Sequence, residues 1–416
     1  MAKITIREVD NTLPGLVDFD NVVVFIPGNA KNSAFKDFDT PLLFTSLDDF
    51  TKKIGDTPVQ YSDVTNYKTT YAPYLNSDKD KLYDAGYLMA RLVLSKGMQV
   101  LYQVPSKTVS GTKVAITTFA DMLTELGVDT FYAPLTDKGL YNPTFLTIGG
   151  YFSVDTINKQ PAPLPNAITQ IKTIAETRGD CLALFDHVWN VDTKDILTIA
   201  TRVTTQYGAM FSPWCAYNIN NIDITLPASV AYLEAVASGI VNNPIWYAMA
   251  GLQRGLVSGA PIVIYGEEFA NTLTTKTGAS VNPIAYVNGA VTIWGNRTLF
   301  NNTGSLKASS FLNIRNLCSR LKKQLYVSAK SILFEQNTDR LWFNFKSQLV
   351  AILDNMKTGQ GISGYKVIKL QATERGQVRA LIRIVPIEAV EDFDISVYLE
   401  NSIDGIVVDA NETEVD

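Results

Sequence analysis

The sequence predicts a multi-domain protein of mixed α/β and α+β class. Its 416 residues exceed what one hydrophobic core ordinarily organises. Helical and strand-like apolar patterns alternate from residue 21 to about residue 207, which is typical of an α/β layer. The last third shows two long helical patterns followed by two strands. We therefore expect an outer α/β domain, an inner mixed-sheet domain with packed helices, and extended terminal strand arms.

The first half of the chain supports this order element by element. Ile4 and Ile6 alternate with polar residues and predict a short strand, and Pro14-Gly15 marks a turn after it. Strands are then predicted at 21–27, 98–104, 131–134 and 181–186, and helices at 47–54, 80–94, 119–126, 168–178, 195–207 and 229–239. Gly55 is the expected stop of the first helix.

The carboxy-terminal third has the clearest periodicity. Apolar residues at helical spacing predict one helix over 312–332 and a second over 339–356. Strands are expected at 365–372 and 378–385. Beyond them, apolar residues alternate at Ile395, Val397 and Leu399, and a last short strand is expected at 405–409.

These patterns suggest four segments. Residues 1–20 form an amino-terminal arm, 21–271 an outer and middle α/β domain, 272–395 an inner domain, and 396–416 an acidic carboxy-terminal arm. Each arm carries a strand too short to be stable alone. Such a strand either completes a sheet in a neighbouring copy or folds back on its own chain.

Charge is distributed unevenly along the chain. The net charge is −5, yet ten of the 41 acidic residues and none of the 36 basic residues follow Arg383. The part up to Arg383 therefore carries a net charge of +5. A basic body and an acidic tail favour head-to-tail contact between copies, although a solvated terminus explains the same composition.

The overall composition indicates a well-packed protein of a reducing compartment. Apolar residues make up 46% of the chain and the mean hydropathy is +0.05. Three scattered cysteines, Cys181, Cys215 and Cys318, give no disulfide framework. No secretory signal and no apolar run of roughly 18 residues is visible, so we expect a cytosolic protein without membrane insertion.

Candidate catalytic and binding motifs are weak. Gly359-Gln-Gly361-Ile-Ser-Gly364 has the letters of a dinucleotide-binding turn, but it follows a helix and precedes a strand, which is the reverse of the required order. The single histidine, His187, adjoins Asp186 at a strand end. Successive strand residues point to opposite faces, so Asp186 would not orient His187, and a buried structural role is expected for both.

Other chemistries lack their motifs. No phosphate-binding loop of the Gly-x-x-x-x-Gly-Lys-Ser/Thr type occurs, and one histidine with dispersed cysteines cannot make a standard zinc site. An isoelectric point near 5.2 argues against a nucleic-acid footprint. We expect no catalytic residues, no cofactor and no metal.

Several motifs, in order along the chain, resemble those of contractile tail sheath proteins, which wrap the tail tubes of phages and related injection machines. They are Phe145-Leu-Thr-Ile-Gly-Gly-Tyr151, Leu226-Pro-Ala-Ser-Val230, Tyr247-Ala-Met-Ala-Gly251, Val281-Asn-Pro-Ile284, Ile293-Trp-Gly-Asn-Arg-Thr298, Asn313-Ile-Arg315 and Phe334-Glu-Gln-Asn337. The resemblance is densest over residues 226–399. It implies subunits that form hexameric rings stacked helically around a tube, and an extended polymer that later relaxes into a shorter, wider one without nucleotide.

The resemblance also implies partners and a location. These are the tail tube protein, the baseplate and the tail terminator, in a virion tail assembled in the host cytoplasm. A sheath of a phage-tail-like bacteriocin or an extracellular injection system shares the same physics and remains an alternative. An α/β enzyme using Asp186 and His187 and a monomeric binding module are the alternatives of other classes.

Three sets of residues are expected to matter in a sheath subunit. Trp294, Gly295, Arg297 and Thr298 form a buried structural turn, with Arg297 satisfying backbone carbonyls or a carboxylate. Arg320, Lys322 and Lys323 face an acidic surface of the tube, unless the helix at 339–356 is the tube-facing element. Ile4, Ile6, Ile395, Val397 and Leu399 join sheets of adjacent subunits.

Overall fold

The computed structural model describes residues 21–61, 82–151, 153–154, 161–162, 164–187, 193–373 and 377–390. The strands are β1 (Val23–Pro27), β2 (Leu42–Phe44), β3 (Gln60–Tyr61), β4 (Leu82–Tyr83), β5 (Gln99–Gln103), β6 (Lys107–Val109), β7 (Thr112–Val114), β8 (Phe145–Leu146), β9 (Ser153–Val154), β10 (Pro161–Ala162), β11 (Leu182–Asp186), β12 (Gly208–Ser212), β13 (Cys215–Ile219), β14 (Ile222–Leu226), β15 (Ala260–Pro261), β16 (Asn282–Val287), β17 (Ala290–Ile293), β18 (Ile362–Leu370) and β19 (Arg379–Pro386). The helices are α1 (Leu47–Ile54), α2 (Ala85–Ser95), α3 (Phe119–Leu126), α4 (Asp129–Tyr132), α5 (Pro165–Arg178), α6 (Ile196–Thr201), α7 (Ala228–Gly239), α8 (Gly251–Arg254), α9 (Glu267–Leu273), α10 (Leu312–Lys330) and α11 (Asp339–Thr358).

An eight-stranded mixed sheet forms the body of the molecule, in the order β17-β16-β12-β11-β8-β1-β5-β2. The strands from β16 to β5 run parallel to one another, whereas β17 and β2 close the two edges in the antiparallel direction. Parallel strands need crossover connections, and helices of the chain supply them. The mixed α/β class predicted from the sequence is confirmed.

The central strands are apolar because both of their faces are covered. Every residue of β1, β11 and β12 is buried. Continuous apolar runs of this kind are typical of parallel strands between two layers of helices. The alanine-rich helix α7 packs against β11 and β12, and all but one of its twelve residues are buried.

Local capping signals explain why some helices match their predicted bounds. Ser46 accepts a hydrogen bond from the Asp49 amide at the start of α1, and Thr118 does the same for Asp121 in α3. Both are N-cap residues of the preferred type, and both helices end at a glycine.

The large sheet continues past the expected boundary at residues 271 and 272. Strands β16 and β17 belong to the inner segment by sequence, yet β16 pairs with β12 of the preceding segment. A second, smaller core lies in the carboxy-terminal part, where α10, α11 and the β18–β19 hairpin meet. Its buried residues are Leu317, Leu321, Leu353, Met356 and Ile362. Helix α10 joins the two cores, because its first residue, Leu312, belongs to the large one.

Two predicted elements are wrong. Residues 131–134 are helical in α4 and in the short 3-10 helix after it, although a strand was expected. A short buried apolar run has the same pattern in either structure, so periodicity does not separate them. The helix expected over 195–207 ends at Thr201, and the apolar residues after Tyr207 form β12 instead.

Candidate functional site

The Trp294–Thr298 turn follows β17 directly and crosses the edge of the large sheet. The Trp294 amide donates to the Pro283 carbonyl at 2.7 Å, and its indole Nε1 donates to Asn271 Oδ1 at 3.1 Å. Trp294 and Gly295 are half-buried, whereas Arg297 and Thr298 are buried. The turn is thus an integral part of the sheet edge.

Asn282, at the start of β16, holds this turn in place. Its Nδ2 donates to the Met210 carbonyl at 3.1 Å and to the Arg297 carbonyl at 2.8 Å. Its Oδ1 accepts from the Arg297 amide at 2.7 Å. One fully buried carboxamide therefore ties β12, β16 and the turn together, and all of its named bonds go to backbone groups.

Gly295 is required by the close approach of this carboxamide. A Cβ atom placed on Gly295 would lie 2.8 Å from Asn282 Oδ1 and 3.0 Å from Thr274 Cγ2. Neither neighbour is a flexible chain end. The absence of a side chain at Gly295 is therefore a packing requirement rather than a conformational one.

Arg297 is buried at 5% exposure, and its guanidinium lies over the Phe311 ring, 4.6 Å from the centroid. This is a cation–π contact, which stabilises a cation held away from water. Thr298 fixes the same junction, because its Oγ1 donates to the Ser309 carbonyl at 2.8 Å and its amide donates to Ser310.

A pair of asparagines begins α10 beside the turn. Asn296 Nδ2 donates to Asn313 Oδ1 at 2.8 Å, and the Asn313 amide donates to Asn296 Oδ1 at 3.1 Å. The Leu312 amide also donates to the Asn296 carbonyl. Asn296 thus satisfies amides of the first helical turn from a distant segment, as a capping side chain does locally.

The basic side chains on α10 do not share one outward face. Lys323 is 4% exposed, and its Nζ donates to the Pro143 carbonyl at 2.8 Å and approaches the Asn142 carbonyl at 3.4 Å. Burial lowers the pKa of Lys323 to about 8. The expectation that Lys323 faces a tube is therefore wrong, because its aliphatic stem lies in the body and its ammonium ends among backbone carbonyls.

The other two basic residues differ from Lys323. Lys322 is exposed, but its Nζ donates to the Gly179 carbonyl at 2.9 Å and to the Tyr207 hydroxyl at 3.1 Å. It thereby caps the carboxy-terminal end of α5, where the helix dipole favours a cation. Arg320 is half-buried at the side of α10.

In the glycine-rich segment 359–364, residues 359–361 form the predicted turn after α11, whereas Gly364 already lies in β18. The Trp246 indole donates to the Gly359 carbonyl at 2.8 Å. A Cβ atom on Gly361 would lie 2.9 Å from Trp246 Nε1 and 2.8 Å from Leu317 Cδ1. The glycines therefore let the backbone lie directly on a tryptophan ring, and no helix begins here to face a phosphate.

Asp186 and His187 point away from each other. Asp186 accepts from the Ser229 amide at 2.8 Å and from its hydroxyl at 2.6 Å, which holds the start of α7. His187 Nε2 is 2.7 Å from Ser212 Oγ, which is 2.9 Å from the Tyr265 hydroxyl. All of these side chains are buried. Burial raises the pKa of Asp186 to about 6, and the Ser229 bonds oppose that shift.

Ile4 and Ile6 of one arm, and Ile395, Val397 and Leu399 of the other, lie outside the described residues. Within the described part of the chain, no group of three or more His, Cys, Asp or Glu side chains is arranged to hold a metal ion. No helix in that part is long and apolar enough to cross a membrane.

The residues that organise this region are mostly ones that sequence reasoning left out. Four of them lie within or beside the motifs quoted above, namely Asn282, Asn296, Asn313 and Trp246. Their side chains are uncharged, so the charge pattern of the sequence does not point to them. Asn282 and Asn296 form hydrogen bonds with backbone groups of neighbouring segments. A polar residue inside an apolar strand pattern, as in Val281-Asn282-Pro283, is the signal that could have found them.

Comparison with known proteins places this geometry in context. No family model matches the sequence. A tail sheath protein of Vibrio phage KVP40 is 26% identical over 187 residues, which are 44% of this chain and 27% of that protein. The chain thus matches about a quarter of the length of this curated relative.

Solved structures match over almost the whole chain. The sheath complex of an extracellular contractile injection system, PVC, in its contracted state gives a TM-score of 0.61 at 15% identity, covering 97% of this chain and 98% of that one. A chain of the six-fold symmetrised baseplate of the anti-feeding prophage gives 0.59 at 13% identity, covering 96% and 99%. Another, from that baseplate in its contracted state, gives 0.60 at 15% identity, covering 92% and 93%. The chain is thus similar in sequence, over part of its length, to a phage tail sheath protein, and it shares the fold of chains from contractile sheath and baseplate complexes.

Proposed function

We propose that this chain is a structural subunit of a contractile sheath, which polymerises helically around a tube and contracts to drive the tube through a cell envelope. The observation that carries the proposal is the fold shared with a contractile sheath over 97% of the chain, joined to sequence similarity with a phage tail sheath protein. The buried side chains around Asn282 and Trp246 have an architectural role that suits a load-bearing subunit.

Assembly needs a surface that accepts neighbours, and the β18–β19 hairpin offers one. Its two strands pair over eight registered positions, and within the described residues they pair only with each other. Both outer edges therefore present backbone donors and acceptors, the arrangement that strand addition requires. Val385 and Ile387 are also exposed there. We assign the arms, residues 3–9 and 396–409, to hairpin edges of adjacent subunits, where they tether the bodies during contraction.

In this proposal, α11 and the loop that precedes it face the tube. Phe343 on α11 is 68% exposed, and Phe334 in the loop is 105% exposed with a φ of +70°. A bulky aromatic residue is uncommon in the left-handed region, and the full exposure of Phe334 leaves its ring available to a partner. Of the three basic residues expected to face the tube, Arg320 and Lys322 stay as candidates for an electrostatic contact.

The proposed partners follow from this role. Copies of the chain form hexameric rings stacked in a helix, around a tail tube protein and between baseplate and terminator proteins, in a virion or a related particle. A phage tail sheath is the first reading because the sequence relative is a phage protein. The matches to PVC and the anti-feeding prophage keep a sheath of an extracellular injection system as the second.

Removal of an arm tests the assembly mechanism. We expect the purified chain lacking residues 396–416 to keep the thermal unfolding midpoint of the full chain, because the described cores lie before residue 390. It should no longer form helical polymers in electron micrographs. A matched control replaces the nine acidic residues of 391–416 by their amides at full length, which preserves strand-forming residues and should preserve polymers. Normal polymers from the truncated chain would contradict the arm assignment.

A further inference from the structure

A cavity of about 390 Å³ lies between α10, the segment that follows α7, and the first residues of β1 and β5. We call it the Trp246 cavity. Trp246, Asn316, Arg320, Lys323 and Gly359 are among its lining residues. It therefore sits where the carboxy-terminal core meets the large sheet.

The lining of the Trp246 cavity combines apolar side chains with polar and basic ones. Among the described lining residues there are two cations, Arg320 and Lys323, and no carboxylate. Six carboxamides line it: Asn21, Gln99, Asn243, Asn316, Gln324 and Asn355. Carboxamides both donate and accept hydrogen bonds, so this lining matches a peptide backbone with acidic side chains better than a purely ionic ligand.

Two of these carboxamides have an unsatisfied buried oxygen. Asn316 Oδ1 and Gln324 Oε1 have no hydrogen-bond partner among the described residues, and Asn316 is only 3% exposed. A buried acceptor that is left unpaired destabilises the folded protein. A ligand that brings N–H donors into the cavity removes that cost.

The cavity adjoins one end of the β18–β19 hairpin. Gly359 lines it, β18 begins three residues later at Ile362, and the Ile387 amide just after β19 donates to the Gly361 carbonyl at 3.0 Å. A strand added antiparallel to β18 runs from its Leu370 end toward its Ile362 end. The residues that follow such a strand are thereby delivered to the Trp246 cavity.

We propose that the Trp246 cavity binds the acidic carboxy-terminal residues, Asp409 to Asp416, of a second copy of this chain. The inference rests on the proposed sheath function and names a contact between copies within it. Residues 409 to 416 follow directly on the proposed arm, and eight extended residues span at most about 27 Å. Peptide amides satisfy Asn316 and Gln324, and the carboxylates face Arg320 with the charge of Lys323 behind it.

Fluorescence anisotropy tests the binding on unassembled full-length protein. The probe is a fluorescein-labelled peptide of residues 400–416, and its control carries amides at all acidic positions. We expect the acidic peptide to bind about 10-fold more tightly, a difference that salt reduces. Arg320→Gln should weaken binding about 5-fold, whereas Arg340→Gln, on exposed α11 outside the cavity, should not. Equal binding of the two peptides, or no effect of Arg320→Gln, overturns the proposal.

Disulfide trapping identifies the source of the tail. In a Cys318→Ser background, one full-length variant carries Asn243→Cys in the cavity and another carries Asn411→Cys in the tail. Oxidation of their mixture should give a covalent dimer. The comparison is a single chain that carries both substitutions. If that chain cross-links only within itself and the mixture gives no dimer, the cavity holds the tail of its own chain. This result overturns the second-copy assignment.

Failure of this inference is distinguishable from failure of the sheath function. Peptide binding is measured before any polymer forms, and polymers are scored separately by electron microscopy. Polymers without peptide binding contradict the cavity assignment alone, whereas peptide binding without polymers contradicts the sheath function.

Discussion

Buried asparagines join separate segments of the chain at the Trp294–Thr298 turn. Asn282 bonds to backbone groups of β12 and of the turn at Arg297, and Asn296 satisfies an amide at the start of α10. A carboxamide can donate and accept at once without the desolvation cost of an ion. These side chains therefore join separate segments at little electrostatic cost.

Replacement of Asn282 tests this account. We expect Asn282→Ala to lower the free energy of unfolding by about 2–4 kcal/mol, because it leaves Met210 and Arg297 backbone groups buried without their partner. Asn218→Ala, which removes an exposed bond to Asp223, should change it by less than about 0.5 kcal/mol. Denaturant unfolding followed by circular dichroism measures both. Equal effects of the two substitutions would contradict the role of Asn282.

Asp186 should make stability depend on pH. Its pKa is about 6 in the folded protein, against an ordinary value of 3.8. Between these values the folded state holds a proton that the unfolded chain has released, so stability from this group is full below about pH 4 and falls as the pH rises through 6. The free energy of unfolding of Asp186→Asn minus that of the unmodified chain should rise by on the order of 3 kcal/mol from pH 4 to pH 7.

The control for Asp186 is Asp223→Asn on the surface, where the difference should stay flat over the same range. A constant difference for Asp186→Asn would show that its ionisation in the folded state is not disfavoured.

The sequence did predict that Asp186 and His187 point to opposite faces, because alternation along a strand is fixed by backbone geometry. It could not predict Ser229 and Ser212 as their partners, since those contacts depend on how distant segments pack.

At the scale of elements, α10 is a bridge between two cores rather than a solvated basic face. Its periodicity was visible in the sequence and its bounds were nearly correct. The direction of its lysine side chains was not visible in the sequence. A long aliphatic stem lets a lysine ammonium lie within the body, and the apolar pattern of the helix stays the same. Residues 131–134 show the same limit for short apolar runs, whose secondary structure is decided by tertiary packing.

Charge reversal on α10 tests whether Lys323 is buried in the body or faces outward. Lys323→Glu should lower the free energy of unfolding by more than about 3 kcal/mol, since it buries a carboxylate against the Pro143 and Asn142 carbonyls. Lys330→Glu, at an exposed position of the same helix, should change it by less than about 0.5 kcal/mol. A folded Lys323→Glu variant of normal stability would show that the side chain of residue 323 faces outward.

At the scale of the molecule, the structure combines one large sheet with a small carboxy-terminal core. The expected segments at 21–271 and 272–395 share that sheet through β12 and β16. The sequence could not show this pairing, because strand neighbours in a sheet need not be neighbours in the chain. The glycines at 359–361 and Trp246 make the contact between the sheet body and the carboxy-terminal core.

That arrangement suits a subunit that transmits force. The body is held by a sheet buried on both faces, and the hairpin offers edges to which neighbours attach. The ordered motifs predicted a likeness to contractile sheath proteins, and the fold shared with a solved sheath extends over regions where those motifs are sparse. What the sequence left out is the set of uncharged side chains that join the parts.

Electron microscopy of the purified full-length chain, over a range of concentrations and with the proposed tube protein present, tests whether the chain polymerises as a sheath subunit. We expect hollow helical polymers with six-fold symmetry about their axis, in which neighbouring subunits are linked through the β18–β19 hairpin. A chain that stays monomeric at every concentration, with and without the tube protein, would contradict this expectation.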